Sequence, residues 1–263
     1  EHAFDPLRVH QVYAGDRDSV GSTRESVASV VAGMTVSHFN LHASFLRRVG
    51  ATLSLPVSWA QSGQEVPLGT TNLGPEPGVA VGDFRAGVRV RVYGEADRTP
   101  FSVHLGANVW FASGRRDTNM GDESARAESR VVLAGRVGMV RWSWSLAFAY
   151  RKAVNALNVA IGPELRTSAS GGVVLLRGRL VIGPEVSLYT PVRDLPSRGG
   201  TAFFAQGQWG AELFAGAHWN FFDGLTLGLG GGAGFERAHG TPAGRLVASL
   251  EWTPDFGTGT RAR

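Results

Sequence analysis

Arginines recur at odd positions in one short stretch, as Arg85, Arg89 and Arg91 between Phe84 and Tyr93. Residues of equal parity share one face of a β-strand, so a strand here would carry three guanidiniums along one side. Further arginines stand at Arg130, Arg136, Arg151, Arg166, Arg179 and Arg245, and carboxylates at Asp83, Glu164, Glu185, Glu212, Glu236 and Glu251, each within an apolar-alternating segment. Two kinds of chemistry suit such a set. Enclosed in a lumen without partners, the guanidiniums make an anion-leaning constriction. Paired with the carboxylates, they fill and stiffen a narrow interior, because charges taken out of water need partners. The near balance of signs favours pairing, with Arg85, Arg89 and Arg91 bridged to Glu164, Glu185 and Glu212 directly or through ordered water.

Other reactive residue types give less. His38, His42, His104 and His218 fall on the same inward parity. His38 and His42 are four residues apart, roughly 13 Å on a strand, too far to share a metal bound at ~2.1 Å. There is no His-Glu-x-x-His helix signature and no Gly-x-Ser-x-Gly elbow around a nucleophile. Cysteine is absent, which removes disulfide and thiolate–metal chemistry. Gly228, Gly230, Gly232 and Gly234 form a small-residue stripe, but no helix follows to make a phosphate loop; the stripe leaves room for bulky groups or lets a wall bend. The expectation is a non-enzyme with no cofactor and no metal. The formal charge of +4 comes without a basic run, so no nucleic-acid partner is expected.

The elements that must position these charges show most plainly in Trp142–Tyr150. Trp142, Trp144, Leu146, Phe148 and Tyr150 take one face, and Ser143, Ser145, Ala147 and Ala149 the other. Rings at both ends with an aliphatic residue between them suit a strand crossing a bilayer. The pattern recurs in segments near 6–13, 27–46, 49–60, 80–93, 99–112, 129–140, 142–152, 156–176, 179–191, 202–221, 225–236 and 244–253. Short junctions at Arg47-Arg48, Gly94–Asp97, Val140-Arg141, Arg177-Gly178 and Asp223-Gly224 alternate with long polar loops, Gln61–Gly78, Ser113–Glu128, Pro191–Gly200 and Arg237–Ala243. Tight turns on one side and long loops on the other are the outer-membrane barrel pattern. The longest stretch without Lys, Arg, Asp or Glu, Ser26–Leu46, is broken by polar residues and does not suit a membrane helix.

The fold class predicted is all-β: a closed antiparallel transmembrane β-barrel of about twelve strands, ten being the alternative, with periplasmic termini. Residues 1–253 form the barrel and 254–263 a linker-like tail. With no start methionine or signal peptide, the chain reads as a mature form. The outward face carries no charge, which has an energetic cause: a Lys or Arg at the bilayer midplane costs about 2–4 kcal/mol. A soluble β-sandwich would also alternate but would turn a polar face outward. Trp59, Trp142, Trp144, Tyr150, Trp209, Trp219 and Trp252 are the expected interfacial aromatics. Blurred alternation over Ser26–Phe39 predicts a bulge near Thr35–His38, and Pro163 and Pro184 inside strands predict local bulges as well.

The repeated Gly162-Pro-Glu-Leu165 and Gly183-Pro-Glu-Val186, with Arg48–Val57 followed by Ser62-Gly63 and the run His239–Trp252, resemble the N-terminal barrel of myxobacterial-type OmpA-family outer-membrane proteins. The likeness spans roughly Phe39–Trp252. It implies a barrel that anchors a periplasmic peptidoglycan-binding module, or that partners a surface receptor of the kin-recognition and outer-membrane-exchange kind. The family's wall-binding residues match no position of this sequence. The function expected is therefore an outer-membrane anchor and assembly platform, in contact with lipid and lipopolysaccharide and with an envelope or surface protein, its long loops extracellular. The alternative is a small-solute channel with a slight anion preference.

Overall fold

A computed structural model describes residues 1–13, 24–46, 48–68, 71–76, 78–95, 99–115, 118–122, 124–156, 159–193, 200–205, 208–236 and 241–254. Most of the predicted tail, from 255 on, lies outside them. The long strands are β1 (His2–Tyr13), β2 (Arg24–Phe45), β3 (Val49–Ser62), β4 (Arg85–Tyr93), β5 (Phe101–Trp110) and β6 (Arg126–Val137). They continue with β7 (Val140–Tyr150), β8 (Glu164–Leu175), β9 (Leu180–Pro191), β10 (Gly210–Phe222), β11 (Leu225–Glu236) and β12 (Gly244–Trp252). Each is antiparallel to its sequence neighbours, and β12 pairs back to β1. The result is an all-β, twelve-stranded antiparallel ring. Nearest-neighbour pairing follows from the tight turns. One of these, Asp223-Gly224, places Gly224 at φ +80°, where a Cβ would press on the Thr253 carbonyl.

Ring closure is uneven. Among the described residues β1 meets β12 over three rungs, His2 to Leu246 through Phe4 to Gly244, close to the long-loop end. Below them, Ser37–Phe45 of β2 and Val247–Trp252 of β12 have no pairing on their facing edges among the described residues. The long-loop end is thus a complete ring, and the tight-turn end carries a seam.

Several expected boundaries move, each for a local reason. The register of β2 on β3 slips between Thr35 and Val36, which is the bulge that the mixed phase implied. No bulge accompanies Pro184. The β8–β9 register stays constant from Ser170–Glu185 to Val173–Ile182, and only the intervening rungs are missing, where Pro184 has no N–H to give. Gly183 is pressed so closely against Gly171 and Gly172 that no side chain fits. Pro163 lies before β8, after a small hairpin of Val154–Ala156 with Val159–Ile161. The 80–93 segment divides into Ala80–Val81 and β4, so Asp83 sits in a loop and not on a strand. The turn before β7 is Gly138-Met139, two residues earlier than expected, and β10 begins at Gly210, which leaves Trp209 on the rim.

The exterior is an apolar belt. Leu41, Leu229, Leu246, Leu250 and Trp252 are 57–71% exposed, far beyond what isolated surface residues require. Burial concentrates at the long-loop end, where Val30, Val31, Asp83, Thr118, Thr190 and Pro242 are nearly inaccessible. There the Gln61 amide donates to the Thr118 carbonyl (2.6 Å) and Asn119 to the Gly74 carbonyl (3.0 Å), which locks two loops together.

Candidate functional site

The inward face of the ring is set by parity and checked by side chains that meet across rungs. Ser143 bonds Ser170 (2.8 Å) and Ser145 bonds Ser168 (2.9 Å), so β7 and β8 turn their serines into the lumen and Trp142 and Trp144 away from it. The same parity carries Arg85, Arg89 and Arg91 on β4, Arg126, Glu128, Arg130 and Arg136 on β6, and Glu164 and Arg166 on β8. Glu185 on β9, Glu212 on β10 and Arg245 on β12 continue it.

Charges at the long-loop end are joined in one chain. The buried Asp83 carboxylate accepts the backbone N–H groups of Gly114 (3.0 Å) and Asp122 (2.9 Å) and faces Arg126 at 3.4 Å. Arg126 reaches Asp122 at 2.8 Å, and Arg151 spans Asp122 (2.8 Å) and Glu164 (3.5 Å). Arg166 then closes on Glu164 (2.7 Å) and stands 4.0 Å from Glu128, which also holds Arg130 (3.0 Å) and the Asn108 amide (3.0 Å). Four carboxylates thereby meet four guanidiniums. A second cluster joins Arg245 to Glu212 (3.1 Å) and Glu1 (3.1 Å), with the Arg245 guanidinium 5.7 Å from the Phe214 ring centre.

The direct ion pairs differ from the direct bridges expected. Glu164 and Glu212 are engaged by Arg151, Arg166 and Arg245, and Arg85, Arg89 and Arg91 have no carboxylate within ion-pair distance among the described residues. Arg85 instead lies over the Trp110 ring at 5.8 Å, shared with Arg126 at 5.3 Å. Arg136 donates to the Gly138 carbonyl at 2.8 Å. Glu185 is exposed, with no cation beside it among the described residues. Asp122, Arg126 and Glu128 fall in the polar Ser113–Glu128 stretch that alternation assigns to a loop, although Arg126, Glu128 and Arg130 continue one parity.

Space remains between these groups. A cavity of about 500 Å³ lies against Gly216, Gly228, Gly230, Phe214 and the Ser143–Ser170 pair, and one of about 450 Å³ against Arg85, Arg89, Arg130, His42 and Asn108. The glycine stripe of β11 thus opens volume on the wall opposite the arginines. On the exterior, Trp219 and Trp252 stand near the tight turns, and Trp59 and Tyr150 near the loops. Trp59 donates to Ser37 (2.8 Å), and the Trp142 ring lies over Gly135. Trp209 packs on Phe204 at the rim, with ring centres 5.8 Å apart.

No family model matches the chain, and no curated protein matches it by sequence. Among solved structures, the NanC porin is similar over 83% of this chain and 93% of its own, with a TM-score of 0.54 and 9% identity. At that identity the likeness concerns the fold alone, and the fold is that of a porin-like β-barrel.

Proposed function

We propose that the chain is an outer-membrane channel for small hydrophilic solutes, with a bias toward anions. One observation carries the reading: an uncharged apolar belt surrounds an interior lined with arginines, serines and glycines that still holds cavities of about 450–500 Å³. Such a belt is costly in water and expected in lipid. The porin likeness supports a channel over the anchor and assembly role that the OmpA-type resemblance implies, for which no family model speaks. Arg85, Arg89 and Arg91, none with a carboxylate at ion-pair distance among the described residues, supply the anion bias. Planar-bilayer recording of the purified chain tests it. Stable single-channel openings, with a reversal potential displaced toward chloride in a salt gradient, are expected. A silent, correctly folded barrel would return the anchor to first place.

A further inference from the structure

We propose that the β4–β5–β6 wall holds a discrete binding site for a small oxyanion of the phosphate or carboxylate class, a deepening that rests on the channel reading. Arg89, Gly106 and Arg130 form one rung across the three strands. Their Cα atoms therefore span about 10 Å, with no side chain between the two guanidinium stems. The gap at Gly106 is not a packing necessity. A Cβ there would lie 3.5 Å from the Val88 carbonyl oxygen and 3.9 Å from Arg130 Cβ, which is ordinary contact. One rung toward the loops, Gly87 faces Asn108, whose amide occupies the space a Cβ would need. The two glycines make the floor of the cavity of about 450 Å³, Arg85, Arg89 and Arg130 bring its cations, and His42 stands at its edge.

Charge decides what fits. The carboxylate nearest these cations is Glu128, whose side chain is wholly buried and already holds Arg130, Asn108 and Arg166. Three guanidiniums against one occupied carboxylate leave the pocket two positive charges in excess. A guanidinium presents forked donors that match the oxygens of a phosphate or carboxylate in pairs, while the Asn108 amide N–H is held by Glu128. The pocket opens to the lumen, and the strand wall separates it from lipid headgroups, so its occupant is a dissolved anion.

Inorganic phosphate is the probe. Calorimetric titration into the detergent-solubilised barrel should give saturable binding, and millimolar phosphate should reduce chloride current in bilayers. Arg89→Gln should weaken both at least tenfold. Gly106→Val, which fills the floor without removing charge, should do the same. Arg177→Gln, which removes equal charge from an exposed turn, should leave both unchanged. Saturable binding in a barrel that carries no current would keep the site and remove the channel. Current without saturable phosphate binding, or equal weakening by R89Q and R177Q, would overturn the site and leave a diffuse bias.

Discussion

At the long-loop end, Asp83, Asp122, Glu128 and Glu164 are each met by arginine from β6, from β8 or from the segment just after β7, inside a ring whose strands all have two neighbours. Toward the tight-turn end, Arg89 and Arg91 have no carboxylate at ion-pair distance among the described residues, and Ser37–Phe45 of β2 and Val247–Trp252 of β12 each carry one edge without pairing among the described residues. The two ends of one lumen differ in charge balance and in backbone satisfaction alike. Rigidity should therefore concentrate near the loops, while charge available to a solute lies deeper, along the β4–β6 wall. The two roles overlap at Arg130, which pairs with Glu128 and also lines the cavity beside Arg89.

The largest expected difference between the two ends is in backbone protection. Amides on the free edge of β2, at alternate positions from Ser37 to Phe45, should exchange with deuterium on the order of a hundredfold or more faster than those of β7, which is paired on both sides. Unpaired backbone groups in hydrocarbon cost several kcal/mol each, so exchange in a bilayer should slow toward the β7 rate only if another strand covers the seam. Equal rates in detergent, measured residue by residue by NMR, would show that the ends do not differ.

Next comes stability. Glu128→Ala removes a wholly buried carboxylate that holds Arg130, Asn108 and Arg166. Both guanidiniums are about 40% exposed and can recover some hydration, so the cost is set below that of a fully buried pair, at about 2 kcal/mol. The double variant Arg89→Ala, Arg91→Ala breaks no ion pair among the described residues and should shift stability by less than about 0.5 kcal/mol. Urea midpoints in lipid vesicles test both. A double variant as unstable as Glu128→Ala would mean that the arginine wall is also structural.

The same double variant should change permeation. With two unpaired cations gone, the chloride-to-potassium permeability ratio should fall toward or below unity, whereas Arg245→Ala, which takes a cation from a paired cluster, should move it less. If the order is reversed, the paired cluster lines the constriction and the comparison must be redrawn.

How much of this contrast was legible in the sequence follows from the range of the forces involved. Strand parity is local, so the serine and tryptophan faces of Trp142–Tyr150 and the slip at Thr35–Val36 could be read directly. Pairing across the lumen could not. Same-face residues two apart on a strand lie about 7 Å from each other, and Glu164–Arg166 and Glu128–Arg130 use that short reach before any partner across the barrel can compete. Asp83 departs from its expected strand for a related reason. Its partners, the backbone N–H groups of Gly114 and Asp122, come from a loop about 30–40 residues away, and no periodicity marks such a contact.

The smallest effect separates the outer surface from the lumen. Trp142, Trp144 and Trp219 lie on the outward parity near the tight turns, where tryptophan settles at the headgroup level. Trp110 lies on the inward parity beneath Arg85 and Arg126. In single-tryptophan variants reconstituted into brominated lipid, the three outward indoles should lose fluorescence, whereas Trp110 should keep it. Iodide should act the other way, because an anion drawn into the arginine-lined lumen meets Trp110 first. The iodide effect on Trp110 should fall when Arg85 becomes Gln, since that guanidinium sits 5.8 Å from the ring. Lipid quenching of Trp110 with none at the outward three would reverse inside and outside, and with them the assignment of the arginines to a water-filled path.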